Sequence, residues 1–264
     1  MAVPEDESAY ALIVELSAHL GSTDSVLRND YGNGIPASWI RRPGTLSDDE
    51  LRSLIDVWLP NLAVGVGESN KDSVLLRSFS TLNLSLLVAR DNRRPFLGEE
   101  DIDVLLEGVL MYIERERDVR GWVDRLGWCN SAGHTATMLK YLARSRHLRQ
   151  DGQLQVLQGI AMRLRNTGGY VFVHGEDARL AAAACSVLAR LDFDPRAFEE
   201  FTAGFESTFS ATPYKDGLNA ASHAAQQNCK NFLRALYIRL MRIEDPTPDQ
   251  VVARDLTLAA LPKH

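Results

Sequence analysis

Apolar residues recur at three- and four-residue spacing along nearly the whole chain, and no run of strict apolar–polar alternation bounded by hairpin turns breaks the pattern. The pattern predicts an all-α fold. A first helix shows Ala9, Leu12, Ile13, Leu16 and Leu20 on one stripe and stops at Gly21, whose tolerance of positive φ suits a helix end. A second starts at Ser47, where Ser47-Asp48-Asp49-Glu50 reads as a capping box ahead of Leu51, Leu54, Ile55 and Trp58, with Pro60 near its end. A third, from about Ser73, carries Leu75, Phe79, Leu82 and Leu86 and breaks in the polar turn Arg90–Pro95. The next begins after Gly98. There Ile102, Leu105, Leu106, Val109, Leu110 and Ile113 share one face, and Glu99, Glu100 and Asp101 sit at the positive end of the dipole.

Further helices are expected over Ala132–Arg146, Gly152–Arg165, Glu176–Arg190, Pro195–Phe209, Gly217–Met241 and Pro248–Leu261. Asp194-Pro195 and Thr247-Pro248 each place an N-cap residue before Pro at the first helical position. Some nine helices with short connectors suggest antiparallel pairs stacked in layers, a HEAT-like arrangement. No signature repeats at a fixed interval, so an irregular closed helical domain is the alternative. No low-complexity linker divides residues 1–264, which read as a single domain. Gly65–Lys71 reads as the most flexible loop, Gly32-Asn33-Gly34 and Gly65-Val66-Gly67 as turns, and Leu261–His264 as a frayed end.

A chain of 264 residues, 45% hydrophobic and 24% charged, is long and apolar enough to bury its own core without disulfides or cofactors. Its 29 Lys and Arg against 35 Asp and Glu give a net charge of −6, which argues against a nucleic-acid or anionic-membrane binder. The basic groups Arg41-Arg42, Arg93-Arg94, Arg144-Arg146-Arg149 and Arg163-Arg165 are interleaved with acids. The opening Met-Ala-Val-Pro-Glu-Asp-Glu has neither a basic nor an apolar leader segment, and no stretch reaches the ~18 apolar residues of a membrane span. A cytoplasmic protein with no membrane association is therefore expected. Cys129, Cys185 and Cys229 are odd in number and lack any C-x-x-C pair, which points away from a disulfide framework and from a zinc ribbon. Cys185, in an alanine-rich run, reads as a small buried hydrophobe; the other two stay open as reactive candidates.

Five stretches occur together and in order: Arg77-Ser78-Phe79-Ser80, Glu116–Val123, Gly127-Trp128 through His134, Gly175–Ala181 and Asn231–Tyr237. Over about residues 16–240, with a C-terminal helix at about 248–261 beyond it, the chain resembles a bacterial family designated domain of unknown function 2785. The resemblance implies an all-helical, HEAT-like fold and transfers no mechanism. The family pattern follows its Gly-Trp with two His four residues apart and a nearby Asp; the matching positions here are Asn130, His134 and Thr137, so one His remains. A metal site built on that pair would have lost one ligand and the nearby acid in this chain.

Chemistry-bearing residues gather in two stretches: Arg120, Trp122, Asp124, Trp128, Asn130 and His134, then His174, Glu176, Asp177 and Arg179. If the helix pairs stack, both stretches face one concave surface, where an imidazole, carboxylates and guanidiniums suit anion recognition or acid–base work. The same residues also suit a brace between layers, since Glu176 and Asp177 favour a helix start and Arg179 can pair locally. The run Glu114–Arg120 reads as a solvated helix end laced with weak ion pairs, with Arg120 the exception, drawn inward to carbonyls or to Glu176. His134, with Met138 one turn later, suits a satisfied core histidine or a polar group at a helix start. H-x-x-x-H and H-E-x-x-H are absent from the sequence, so no metal is expected; G-x-S-x-G, the phosphate loop and G-x-G-x-x-G are absent too, so no nucleotide cofactor is expected. Ser78 and Ser80 have no His beside them in sequence and do not signal a nucleophile.

The leading expectation is a non-enzymatic binding module with no cofactor. Its concave face, lined by Trp122, Trp128, His134, Glu176, Asp177 and Arg179, takes a small anionic ligand or a peptide. The alternatives are an acid–base enzyme or hydrolase using His134 with Glu176 or Asp177, and a protein-binding scaffold in which the polar cluster is structural. The sequence does not set the oligomeric state.

Overall fold

Helix starts follow the local capping chemistry. The computed structural model of the protein describes residues 2–210 and 219–262. Helix α1 (Ala9–Leu16) is capped by Ser8 and tightens into a 3₁₀ turn over Ser17–His19, short of the expected run to Leu20. Leu27–Gly34 winds as a π-helix into α2 (Ile35–Arg41), so the expected turn at Gly32–Gly34 is helical. The wide coil is possible there because Gly32 has no side chain; a Cβ would stand 3.2 Å from the Leu20 amide nitrogen. Helix α3 (Asp48–Trp58) has the predicted capping box: Glu50 N–H donates to Ser47 Oγ at 3.2 Å and Ser47 N–H donates to Glu50 Oε2 at 2.8 Å.

The remaining helices are α4 (Ser73–Asp91), α5 (Glu99–Arg115), α6 (Ser131–Leu142), α7 (Gln150–Arg165), α8 (Glu176–Leu188), α9 (Pro195–Ser210), α10 (Ala220–Met241) and α11 (Pro248–Ala259). The expected start at Gly217, and Lys263 and His264 of the expected frayed end, lie outside the described residues. Helices α4, α6, α8 and α10 pack side by side in that order, and α5, α7, α9 and α11 form a second row against them. This is an all-α, two-layered stack. One connected apolar core runs through both rows, from Ala9 to Ala253.

Helix α4 is buried on every side, which explains why its apolar stripe is interrupted by Ser78, Ser80, Thr81, Asn83 and Ser85. Each of these polar groups has a partner: Thr81 donates to the Arg77 carbonyl, Ser85 to Leu82, Asn83 to Gly32, and Ser80 accepts from Asn61.

Besides the helical stretch Leu27–Arg41, the sequence reading missed a hairpin. Trp122–Val123 (β1) and Gly127–Trp128 (β2) form an antiparallel hairpin with Trp122 opposite Trp128 and Val123 opposite Gly127. Strands of two residues are too short to show alternation. Arg125 at φ 69° and Gly127 at φ 76° close the turn. Tertiary contacts hold it: buried Arg28, aimed from the π-helix, donates to the Leu126 carbonyl and lies 5.1 Å from the centre of the Phe79 ring.

Candidate functional site

The loops that enter α4, α6 and α8 meet at one end of the stack, because each joins an outer-row element to an inner-row helix. A buried polar brace ties them together. Arg77 and Glu116 are both fully buried and paired bidentately, Nε to Oε2 at 2.6 Å and Nη2 to Oε1 at 3.0 Å. Arg77 Nη1 also donates to the carbonyls of Val64 and Gly65 at 2.9 and 3.0 Å. Buried Arg163 donates to the carbonyls of Glu116 and Asn166, and Asn166 Nδ2 donates to the Glu114 carbonyl. Residues 64–65, 114–116 and 166 are thereby pinned by two guanidiniums around one carboxylate. Burial opposes the Arg77 charge, but the bonds and charge of Glu116 prevail and raise its pKa. For Arg163 burial prevails and lowers it to about 10. The expected solvated helix end at Glu114–Arg120 is therefore corrected: Glu116 and Asp118 are interior, paired with Arg77 and Arg120, because the chain leaves α5 and turns under the neighbouring loops. The loop expected to be most flexible, from Gly65, is fastened at its start by Arg77.

Above the brace the hairpin carries the aromatic residues. Gly121 N–H donates to Tyr170 Oη at 3.3 Å, Trp122 N–H to His174 Nε2 at 3.4 Å, and the ladder continues from Cys129 N–H to the Gly121 carbonyl and from Asn130 N–H to Arg120. Gly121 is required by this approach, since a Cβ there would lie 2.0 Å from the His174 ring. Trp122 and Trp128 meet edge to face at 5.3 Å, and Trp128 meets His174 likewise at 5.0 Å. Both indoles stay open to solvent, at 53% and 39% exposure. Glu176, at 1% exposure, accepts the His174 N–H through Oε2 at 2.7 Å, and its buried Oε1 has no partner among the described residues.

His134 lies beneath this surface. Its Nδ1 is 3.1 Å from the Ser78 carbonyl and 2.9 Å from Ser78 Oγ, and Ser78 Oγ–H donates to the Cys129 carbonyl at 2.5 Å. A carbonyl only accepts, so Nδ1 carries the ring proton and the serine hydroxyl is committed elsewhere. That is the wrong hydrogen-bond direction for activating Ser78 as a nucleophile. Burial lowers the His134 pKa to about 4; the hydrogen bond to the Ser78 carbonyl offsets part of this, and the charges of Arg179 and Arg28 add smaller downward pulls.

The structure thus groups Trp122, Trp128, His174 and Glu176 around Gly121, and Asn130 and Arg179 over Gly133, where a Cβ would stand 2.3 Å from Asn130 Oδ1 and 2.6 Å from Arg179 Nη1. Asn130, left-handed at φ 50°, caps α6 by position. Asp124 is exposed in the hairpin turn, and Asp177 is half-buried at the start of α8. Arg120 bonds Asp118 at 2.7–3.1 Å and the Lys71 carbonyl at 3.2 Å, so the expected pull toward carbonyls is met while Glu176 is not among its partners. Sequence reading missed Arg28, Glu116, Arg163, Thr167 and Tyr170. Arg77 lies opposite the Leu75, Phe79, Leu82 and Leu86 stripe, where an ordinary solvent-facing Arg would sit, so the sequence carried no signal for the brace. Among the described residues no three His, Cys, Asp or Glu side chains group as a metal site, and no helix is long and apolar enough to cross a membrane.

The cysteines reverse their expected order: Cys129 and Cys229 are buried, Cys185 only partly. Burial pushes Cys185 up to about 11 and Cys229 to about 12, and raises Cys129. All three are thiols at neutral pH, so native protein is expected to react with a disulfide reagent roughly a hundredfold more slowly than the urea-unfolded chain. Comparable rates would show that one thiol is open and activated.

Compared with known families, residues 62–238 match the family described as Protein of unknown function (DUF2785). Neither the curated proteins nor the solved structures gave a match.

Proposed function

Because this chain belongs to the DUF2785 family, whose description assigns no activity, we propose a function from its own geometry: it is a non-enzymatic, HEAT-like module that binds a small anionic ligand or an acidic peptide end. The recognition surface is the hairpin face formed by Trp122, Trp128 and His174, with Arg120 and Arg179 as the nearby cations. The observation that carries this reading is the pair of exposed indoles. Two large rings are held in fixed edge-to-face contact on a hairpin that Arg28, Tyr170 and His174 fasten from below. Rigid exposed aromatics lose little entropy on binding and dominate recognition energies where they occur. The catalytic alternative has less support, since His134 is spent on Ser78 and Phe79 rather than on Glu176 or Asp177.

The test uses 1-anilinonaphthalene-8-sulfonate, an aromatic body with one anionic group, followed by energy transfer from tryptophan. Saturable one-to-one binding is expected, weakened about tenfold or more by W122A together with W128A at unchanged thermal midpoint. No saturable binding, or equal binding by the double variant, would sink the proposal.

A further inference from the structure

Beside the aromatic face a cleft of about 410 Å³ opens between residues 69–70, 117–120 and 167–170. We propose that this cleft is an oxyanion site that holds the carboxylate or phosphate of a small molecule. The proposal rests on the reading of this end as a ligand surface and names the chemical group that anchors there.

Five observations carry it. The charged groups lining the cleft are Arg117, Arg120 and Asp118, two guanidiniums against one carboxylate, in a chain whose net charge is −6. Arg120 keeps Asp118 and the Lys71 carbonyl on Nε and Nη2, and its Nη1 has no partner among the described residues. Thr167 lines the same cleft at 2% exposure, and its Oγ1 is buried without a hydrogen-bond partner. A buried hydroxyl left unpaired is costly, and Thr167 borders the cleft, so a small shift that opens Oγ1 to an acceptor held there relieves that cost. Gly168 and Gly169, at φ 59° and 93°, lie in the left-handed region, and neither amide N–H donates to an acceptor among the described residues. Finally, the walls are held before any ligand arrives: Arg77 fixes the stretch preceding residue 69 at Val64 and Gly65, and Arg163 joins Glu116 to Asn166, immediately before the other two wall segments. Donors fixed in advance, with a hydroxyl, backbone amides and guanidinium groups, match a group that only accepts hydrogen bonds.

The experiment is a titration of ¹⁵N-labelled protein with inorganic phosphate and, separately, with acetate, reading the Gly168 and Gly169 amides and the indole N–H signals of Trp122 and Trp128. Saturable shifts of the glycine amides are expected with at least one anion. A response to phosphate alone assigns a phosphorylated ligand, and a response to acetate alone assigns a carboxylate; either supports the site. T167V and R117A are each expected to weaken binding about fivefold to tenfold. T167V keeps the side-chain shape and loses no internal hydrogen bond, so its thermal midpoint is expected to hold or rise, which separates a ligand role from a structural one. Silent glycine amides with both anions, or unchanged affinity in both variants, would overturn the site. Glycine shifts with still indoles keep the cleft and confine the anion to it; binding of the aromatic sulfonate with silent glycines removes the cleft and leaves the aromatic face standing.

Discussion

Replacing Glu116 with Gln is expected to lower the unfolding free energy by about 3–5 kcal/mol, the largest effect of any single charge removal in this protein. The carboxylate is fully buried and accepts from both Arg77 Nε and Nη2 and from the Asp118 N–H. Its removal strands the Arg77 guanidinium in the interior with buried Arg163 close by, and no other acid replaces it in the Arg77 hydrogen bonds. Tyr112, buried against the same group and pushed well above its ordinary pKa by burial and then by Glu116, supplies no compensating charge. Urea unfolding at neutral pH gives the loss directly. A double replacement, R77M with E116L, removes both charges and is expected to recover part of the loss, but not all, since the Val64 and Gly65 carbonyls lose their donor. A change below about 1 kcal/mol for E116Q would mean that water reaches the pair, and the brace would no longer explain the rigidity of the three loops.

The second large effect is a dependence on pH set by His134. Its pKa is about 4 in the folded protein and that of an ordinary histidine, about 6.5, when unfolded. A histidine with a depressed folded pKa stabilises the fold fully above the unfolded value. That stability is lost as pH falls from 6.5 toward 4, because the unfolded chain takes up the proton and the folded one does not. A gap of this size corresponds to about 3 kcal/mol. H134N places an amide donor where Nδ1 faces the Ser78 carbonyl and cannot titrate. The fall in stability between pH 6.5 and 4 is expected to be shallower in H134N by most of that amount. Parallel pH curves for the two proteins would show that the imidazole protonates as freely in the fold as outside it.

Much of the helical framework was legible along the chain. The stripe of Ile102, Leu105, Leu106, Val109 and Ile113 is the buried face of α5, Ser47–Glu50 caps α3 as its spacing requires, and Thr247 caps α11 ahead of Pro248. The two stretches around Trp122 and His174 were also legible as residue types, and the structure sets Trp122, Trp128, His174 and Glu176 around Gly121. What each residue does there was not legible. Glu116 and Glu114 look alike in the sequence, yet one is the centre of a buried ion pair and the other is exposed. Ser78 and His134 give no sign of each other and share a hydrogen bond. The hairpin, with strands of two residues, depends on Arg28 and His174 from distant parts of the chain.

The sequence by itself determined most of the helices and the capped starts of α3 and α11, because helix hydrogen bonds, capping contacts and the apolar repeat all act within about four residues; it left out Leu27–Arg41 and carried the helix over α6 to Arg146, where the structure ends it at Leu142. Tertiary structure decided which polar side chains are interior and what they hold. Arg77 and Glu116 are 39 residues apart, and Ser78 and His134 are 56 apart. The meeting of such partners depends on how the layers stack and where the loops cross. The energy of a buried charge or imidazole depends on that partner and that burial, neither of which a local stretch of sequence contains.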